Sequence, residues 1–295
     1  MVDDRPVVFA LTGPTASGKT DASIAVAERF GATILSADAM QVYRGMDIGT
    51  GKVTPEQRAR VPHEGLDLVD PDEGFDALDF MALADRLIAT GKPLIVCGGT
   101  SLYLRSLQRG LVNTPPVDPA LRAEIEAMPD MHGPLAQVDP VLAARLHPND
   151  RVRLLRGLEV FRQTGQRLSE LQEAHAKEPD RVRVVGLRFD RDDLDPRIDA
   201  RVLQMVEEGY VDEVRRLLDR GYTPDLKPMR SLGYRHLSDH LLHGLPLEEA
   251  IRRTQRDTRS FARKQRTWAN HILFPQVTRD HLDVAMRAAE AVFGG

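Results

Sequence analysis

The residues Gly13 to Thr20 (GPTASGKT) constrain this chain more than any other stretch. They follow the apolar run 7–11 and open a segment of helical periodicity that ends near residue 30, so we expect a strand, a glycine loop and a helix in that order. In this context the pattern G-x-x-x-x-G-K-[ST] is typical of a phosphate-binding loop, or P-loop. The sequence therefore predicts a site for a diphosphate or a triphosphate.

The residue types of this loop suit its predicted task. Gly13 and Gly18 let the backbone turn so that successive N–H groups converge on an anion, which also meets the positive end of the new helix. Lys19 would place a charge on the terminal phosphates, and the Thr20 hydroxyl would bind Mg²⁺. The residues expected to hold the phosphates are Gly13, Pro14, Thr15, Ala16, Ser17, Gly18, Lys19 and Thr20.

Composition narrows the class of protein. With 295 residues, 42% apolar and 28% charged, the chain is expected to form one or two globular domains. The single cysteine, Cys97, excludes a disulfide framework and a cysteine-rich zinc finger. No apolar run approaches the roughly 18 residues of a membrane span, and the start 1–5 is polar and acidic, so we expect a cytoplasmic protein without a membrane partner.

Strand and helix patterns alternate over residues 1–113, with a short strand expected at 66–70. Only helical patterns follow over 114–180, and an apolar strand pattern at 182–189 opens the last part, 181–295. The sequence predicts an α/β fold: a P-loop NTPase-like parallel sheet core, a helical insertion at 114–180 and a helical C-terminal part. Because ligands of parallel sheets bind at the carboxyl ends of the strands, we expect the P-loop, Asp38 and residues 98–100 to face one crevice.

Two arginine clusters give the only indication of a polyanion, since the net charge of the chain is −4. A helix expected over 246–271 carries a stripe of one sign, which favours phosphate contacts over an ordinary solvated face; the stripe consists of Arg252, Arg256, Arg259, Arg263 and Arg266. The second cluster, in the insertion, would by itself be an ordinary surface helix; it consists of Arg151, Arg153, Arg156, Arg162 and Arg167. Together they favour a polyanion partner, and the charge pattern leaves open whether the phosphates are those of a diphosphate or of a nucleic-acid backbone.

The P-loop lacks the usual equipment of a hydrolase. An ATPase or GTPase needs an acid at the end of a central strand to hold Mg²⁺ and a group that positions water. The strongest central strand, 94–97, ends instead in Gly98-Gly99-Thr100, and the available acid is Asp38.

Seven segments occur in an order that closely resembles the bacterial tRNA dimethylallyltransferases, over nearly the whole chain. They are GPTASGKT, SADAMQVYRGMDIGTGK, VPHEGLDLVDP, CGGTSLYLRSL, HPNDRVRLLRGLEV, RSLGYR and ARKQRTW. The resemblance implies transfer of a dimethylallyl group from dimethylallyl diphosphate to N6 of the adenosine 3′-adjacent to the anticodon of tRNA. It also implies Mg²⁺ as cofactor and an insertion that grips the anticodon stem-loop, and we expect a monomer.

The resemblance also implies roles for single residues. Lys19 and one or more arginines would stabilise the diphosphate leaving group; the candidates are Arg230 and Arg235, and the sequence does not choose between them. Asp38 would be the base that takes the N6 proton, with a Mg²⁺ ligand or a helix cap as alternatives. Thr100 would hydrogen-bond the target base, which is compatible with capping the helix that follows it.

The tRNA contacts implied by the resemblance are Asp38, Ala39, Met40, Gln41, Thr100, Arg122, Val152, Arg153, Leu154, Leu155 and Arg156. Among the last five, Arg153 and Arg156 are expected to touch tRNA, whereas Leu154 and Leu155 have the pattern of core residues. The chain departs from the family pattern at Ala39, where serine is usual, at Glu64, where a second histidine is common, and at Gly51, which replaces alanine.

Three alternative functions share the P-loop. A small-molecule or nucleotide kinase would bind and turn over ATP, and an adenylate isopentenyltransferase would prenylate a free adenine nucleotide; neither needs two arginine clusters. An RNA-binding protein with a nucleotide switch would bind tRNA without changing it covalently.

Overall fold

The computed structural model describes residues 4–269 and 274–294, and the chain divides into two compact units. The larger unit contains the residues up to Gln108 and those from Arg181 onward, and the smaller contains Arg109–Asp180. The sequence places the helical insertion at 114–180, with which the smaller unit largely coincides. None of the helices in the described ranges is long and apolar enough to cross a membrane.

The larger unit is built on a parallel sheet. Its strands are β1 (Val7–Thr12), β2 (Thr33–Ser36), β3 (His63–Glu64), β4 (Leu94–Gly98), β5 (Arg183–Phe189) and β6 (Gln276–Val277). In the described residues they form one six-stranded sheet in the order β3-β2-β4-β1-β5-β6, and every neighbouring pair is parallel. This confirms the predicted α/β class with a parallel core.

Helices cover and extend this sheet. In chain order those of the larger unit are α1 (Lys19–Phe30), α2 (Pro55–Arg60), α3 (Ala77–Ile88), α4 (Ser101–Arg109), α10 (Leu194–Glu207), α11 (Tyr210–Asp219), α12 (Tyr234–His243), α13 (Leu247–Ala269) and α14 (His281–Phe293). Phe9 and Leu11 of β1 pack in the same buried cluster as Ile24 of α1 and Ala285 of α14. Burying these apolar side chains is the main stabilising term for the sheet.

The smaller unit is helical and has its own core. Its helices are α5 (Pro119–Glu126), α6 (His132–Val138), α7 (Pro140–Ala143), α8 (Arg151–Thr164) and α9 (Leu168–His175). Ile125, Leu135 and Leu158 are fully or almost fully buried within it. Asp139, which is also fully buried, accepts hydrogen bonds from the backbone amides of Leu142 and Ser169 and so joins α7 to α9.

The prediction of a strand at 66–70 is wrong. The strand in this region is β3 at His63–Glu64, which pairs with β2, whereas Val69 makes only an isolated bridge with Tyr43. Asp67 has a left-handed backbone (φ 55°) and its carboxylate binds Lys52 and Arg58. The alternating apolar residues at 66–70 therefore belong to a turn that is stabilised by ion pairs, and not to a strand. The predicted end of the long helix near residue 271 lies outside the described residues.

Candidate active site

Three predicted site segments leave the sheet at its carboxyl edge on adjacent strands. The P-loop follows β1, residues 98–100 end β4, and Asp38 follows β2. Because β4 lies between β1 and β2 in the sheet, these segments are neighbours at one edge, as expected of a ligand site in a parallel fold.

The P-loop has the strained backbone of an anion cradle. Gly13 has a φ of 142°, and a Cβ at this position would overlap the carbonyl oxygen of Phe189 at the end of β5. Ala16 also has a positive φ, 62°, and Gly18, with a φ of 93°, lies at the N-terminus of α1. The amides and the positive end of α1 therefore converge on the same space.

Lys19 folds back over this loop. Its ammonium group donates hydrogen bonds to the carbonyl oxygens of Gly13 (2.9 Å) and Pro14 (2.6 Å). Burial lowers the pKa of Lys19 to about 8, and the nearby charge of Arg201 lowers it too, while Cys97 and Asp38 act in the opposite direction. A diphosphate in the cradle would offer this charge an anionic partner.

Residues from α10, α13 and the segment before α10 contact the loop from other sides. The side-chain carbonyl of Gln265 in α13 accepts a hydrogen bond from the Thr15 amide at 3.0 Å. Arg191 donates to the carbonyl oxygen of Ser17, and Arg197 of α10 donates to that of Ala16, both at 3.2 Å. The two arginines thus provide hydrogen-bond donors for two carbonyl oxygens of the loop.

Asp38 is partly buried beyond the end of β2, and one of its carboxylate oxygens accepts a hydrogen bond from the Met40 amide at 2.9 Å. Burial raises the pKa of Asp38, although this hydrogen bond and the charge of Lys19 lower it. The residues after Asp38 form turns, and the next helix, α2, begins only at Pro55, so Asp38 is not a helix cap. Its raised pKa makes it a better base than an ordinary aspartate.

Thr100 faces the loop that begins at Asp38. Its hydroxyl oxygen accepts a hydrogen bond from the Ala39 amide at 3.1 Å, and its own amide donates to the Ala37 carbonyl at 3.0 Å. No amide of α4 donates to this hydroxyl among the described residues, so the helix cap that the sequence allowed beside base recognition is not formed. Since the oxygen accepts here, the hydroxyl hydrogen is available to a ligand.

Each predicted diphosphate arginine pairs with an acidic residue. Arg230 is largely exposed and pairs with Asp225 at 3.2 Å. Arg235 pairs with Asp257, which is also hydrogen-bonded to His236. The contact of either arginine with the diphosphate stays a prediction.

Arg201 of α10 was missed by sequence reasoning. Burial lowers its pKa and the nearby charge of Asp38 raises it, while the charge of Arg201 in turn lowers the pKa values of Lys19 and Asp38. Its guanidinium makes no hydrogen bond or ion pair within the described part of the chain. A partly buried cation beside the P-loop that forms no hydrogen bond or ion pair with a described residue is an electrostatic fit for an anionic ligand. No motif marks Arg201, which is one of two arginines on an amphipathic helix.

The predicted metal ligand, Thr20, lies in the first turn of α1. None of the hydrogen bonds between described residues uses its hydroxyl, so the oxygen is available as a ligand. Residues 4–269 and 274–294 contain no group of three or more histidine, cysteine or acidic side chains that could hold a metal alone. This fits Mg²⁺, which takes few protein ligands and otherwise binds phosphate oxygens and water.

Two of the predicted tRNA contacts share one buried carboxylate in the smaller unit. Arg122 binds both oxygens of Glu159 at 2.6 and 3.0 Å, and Arg156 binds one of them at 3.2 Å. Arg156 also donates to the Thr114 hydroxyl at 2.6 Å and the Pro115 carbonyl at 2.9 Å. Burial would raise the pKa of Glu159, but the two arginines lower it.

Residues 152–155, which were also predicted to contact tRNA, include buried and exposed side chains, and the two leucines are buried as their pattern predicted. Leu154 and Leu155 are buried in the core of the smaller unit. Arg153 pairs with Asp150 at 2.7 Å and stays largely exposed, and Val152 is 78% exposed. Met40 and Ala39 lie in the turn after Asp38, and Gln41 is hydrogen-bonded to Ser36 at 2.8 Å.

The arginine stripe of α13 is paired with acids that the local sequence did not reveal. Arg259 pairs with Asp199 and Arg263 with Asp195, both on α10, while Arg266 pairs with Asp190. Three of the five arginines of the stripe therefore join α13 to neighbouring segments, a role different from the phosphate contacts expected from its single sign.

The parallel sheet and its cradle define an α/β protein of the P-loop type. A family model described as IPP transferase matches residues 41–272, and one described as isopentenyl transferase matches residues 6–69. The tRNA dimethylallyltransferase of Geobacter sulfurreducens is 48% identical over 270 residues, which cover 88% of this chain and 87% of that protein. The chain therefore belongs to the IPP transferase family and is a prenyltransferase.

Solved structures agree with this assignment. The full-length tRNA isopentenylpyrophosphate transferase of Bacillus halodurans has a TM-score of 0.72 and 34% identity, over 98% of this chain and 96% of that one. A eukaryotic dimethylallyltransferase acting on tRNA has a TM-score of 0.79 and 26% identity, over 92% of this chain and 74% of that one.

Proposed function

We propose that this protein transfers a dimethylallyl group from dimethylallyl diphosphate to N6 of the adenosine 3′-adjacent to the anticodon in tRNA, giving N6-isopentenyladenosine. The observation that carries the proposal is the pairing of a P-loop with two acceptor-side groups, Asp38 and Thr100, on neighbouring strand ends. Strand β4, which would supply an acid in a hydrolase, ends in glycine.

The P-loop would hold the donor by its diphosphate. Negative charge grows on this leaving group as the allylic C–O bond breaks, so the amides of the loop, Lys19 and Arg201 stabilise the transition state more than the bound substrate. The Thr20 hydroxyl would hold Mg²⁺, which would supply positive charge to the leaving group.

The acceptor is the neutral exocyclic amine of adenosine. Its nitrogen forms a bond to the allylic carbon, the C–O electron pair leaves with the diphosphate, and the amine proton passes to the Asp38 carboxylate. Attack makes the N–H acidic, and the raised pKa of Asp38 improves its match to the proton it accepts. The Thr100 hydroxyl would donate a hydrogen bond to the target base.

The target base must leave its stack to react, which costs a few kcal/mol and least in a single-stranded loop. An anticodon loop meets that requirement. We propose that the smaller unit binds the stem-loop through Arg122, Arg153 and Arg156. Since tRNA is the proposed substrate, we place the activity in the cytoplasm; a monomer remains the prediction from the sequence.

The proposal is tested by acceptor competition. The protein is incubated with Mg²⁺, dimethylallyl diphosphate and equal concentrations of unmodified tRNA with an A-rich anticodon loop, AMP and ATP. The products are then digested and weighed by mass spectrometry. We expect one adenosine of the tRNA to gain one dimethylallyl group. Prenylated AMP or ATP would indicate an adenylate isopentenyltransferase, and ATP turnover without prenylation would indicate a kinase.

A further inference from the structure

Glu213 is a buried acid that the proposed reaction does not use. It lies on α11, whose core-facing side also carries Tyr210, Val214 and Leu217, and it is 2% exposed. An ionised carboxylate in such a place is costly unless donors surround it. Glu213 forms no ion pair with any residue in the described ranges, so its stabilisation must come from neutral donors.

Four neutral donors surround this carboxylate. One oxygen accepts from the backbone amides of Asp47 at 2.8 Å and Ile48 at 2.7 Å. The other accepts from the Gly49 amide at 3.1 Å and the Tyr234 hydroxyl at 2.7 Å. Three successive amides that converge on one anion form a nest, and here the anion belongs to the protein itself.

Tyr210 packs against the same turn that binds the Glu213 carboxylate. Its ring lies so close to Gly49 and Gly233 that a Cβ at either would overlap it, and its hydroxyl donates to the Leu232 carbonyl at 3.2 Å. Glu213 and Tyr210 therefore join the turn 47–51 to the segment 232–234. These belong to two of the motifs that identify the family, far apart in sequence.

The turn 47–51 continues to the proposed donor site. A Cβ at Gly51 would overlap the guanidinium of Arg201, so the backbone of Gly51 forms the surface on which Arg201 lies. The Gln41 side chain ties the same turn to the end of β2, because it donates to the carbonyls of Thr50 and Gly51 at 3.2 Å and accepts from Ser36 at 2.8 Å. The turn therefore contacts both the end of β2 and the Arg201 guanidinium.

We infer that Glu213 is a positioning residue for donor binding: it holds the turn 47–51 in the conformation that directs Arg201 to the diphosphate. Glu213 touches neither substrate and acts through the backbone. The inference rests on the proposed role of Arg201 in binding dimethylallyl diphosphate. It predicts that replacing the Glu213 carboxylate weakens the binding of dimethylallyl diphosphate but not that of tRNA.

The test compares Glu213→Gln with Asp212→Asn, which removes the neighbouring charge at an exposed pair with Arg215 on the same helix. An amide in place of the carboxylate turns an NH₂ group toward at least one backbone N–H. We expect Glu213→Gln to raise the KM for dimethylallyl diphosphate and the Kd for inorganic pyrophosphate about tenfold, while the KM for tRNA changes less than twofold. Asp212→Asn is expected to leave all three within twofold.

Glu213→Asp serves as a second variant, because it keeps the charge but shortens the reach by one methylene, and the same donor-specific rise is expected. A lower melting temperature with an unchanged KM for dimethylallyl diphosphate in both variants would overturn the inference, since it would show a purely structural role. The Arg201→Ala background separates the two proposals. If Arg201→Ala alone leaves donor binding intact, the role of Arg201 fails; if it weakens binding and Glu213→Gln adds its full effect, the positioning role of Glu213 fails.

Discussion

Arg122 and Glu159 form a bidentate ion pair in which the carboxylate is 1% exposed and the guanidinium 38% exposed. A single buried acid thus orients a partly exposed cation, and the same acid binds Arg156. Removal of one partner of a buried pair leaves the other charge uncompensated.

Glu159→Gln is expected to lower the free energy of unfolding by about 2 kcal/mol, because two guanidinium groups lose their common anion. Glu124→Gln is the matched control, since Glu124 forms an exposed pair with Arg162 in the same unit and should contribute less than about 1 kcal/mol. Urea denaturation of the three proteins measures the difference. Equal midpoints for the two variants would show that burial of Glu159 adds nothing.

Arg201→Ala is expected to raise the Kd for inorganic pyrophosphate by roughly 10- to 100-fold, the effect of losing a charged hydrogen-bond donor. Arg230→Ala is the comparison, because Arg230 is the exposed candidate that the sequence offered. Titration calorimetry of both variants ranks the two arginines. A larger loss of pyrophosphate affinity in Arg230→Ala would instead support Arg230, the candidate implied by the family motif, as the diphosphate-binding arginine.

Binding of pyrophosphate should depend on the protonation of Lys19. Burial lowers the pKa of this ammonium group to about 8, so in the free enzyme it loses its charge as the pH rises through that value. Affinity is therefore expected to be highest below pH 8 and to fall above it, as measured by calorimetry in matched buffers. Lys19→Arg, which keeps its charge throughout, should bind without this alkaline decline. The same decline in both proteins would assign the titration to another group.

The residues that sequence reasoning found were those in local motifs. The P-loop and Asp38 each follow an apolar strand, and parallel strands bring their carboxyl ends to one edge, so the proximity of these groups to residues 98–100 could be predicted. Arg201, Glu159 and Glu213 could not, because each is a single charged residue on an amphipathic helix. Whether such a residue faces solvent or a buried partner depends on contacts that can be distant in sequence, as in Arg122–Glu159 and Asp47–Glu213, which are 37 and 166 residues apart.

The arginines of α13 were predicted to bind an external anion, but contacts distant in sequence give them partners within the chain. A stripe of like charge on one helix is unfavourable alone, which pointed to an external anion. The anions are instead Asp195 and Asp199 of α10, more than fifty residues earlier. Charge patterns within one helix predict that a partner exists but do not say whether it is in the same chain.

The most direct test of the account is a single-turnover reaction of Asp38→Asn with unmodified tRNA and saturating dimethylallyl diphosphate, beside the wild type. Asparagine preserves the shape of the side chain and removes the base, so the rate of dimethylallyl transfer should fall by about 10²- to 10⁴-fold. The Kd for tRNA, measured on the same samples, should change little. Transfer at the wild-type rate by Asp38→Asn would contradict the account and remove Asp38 as the base.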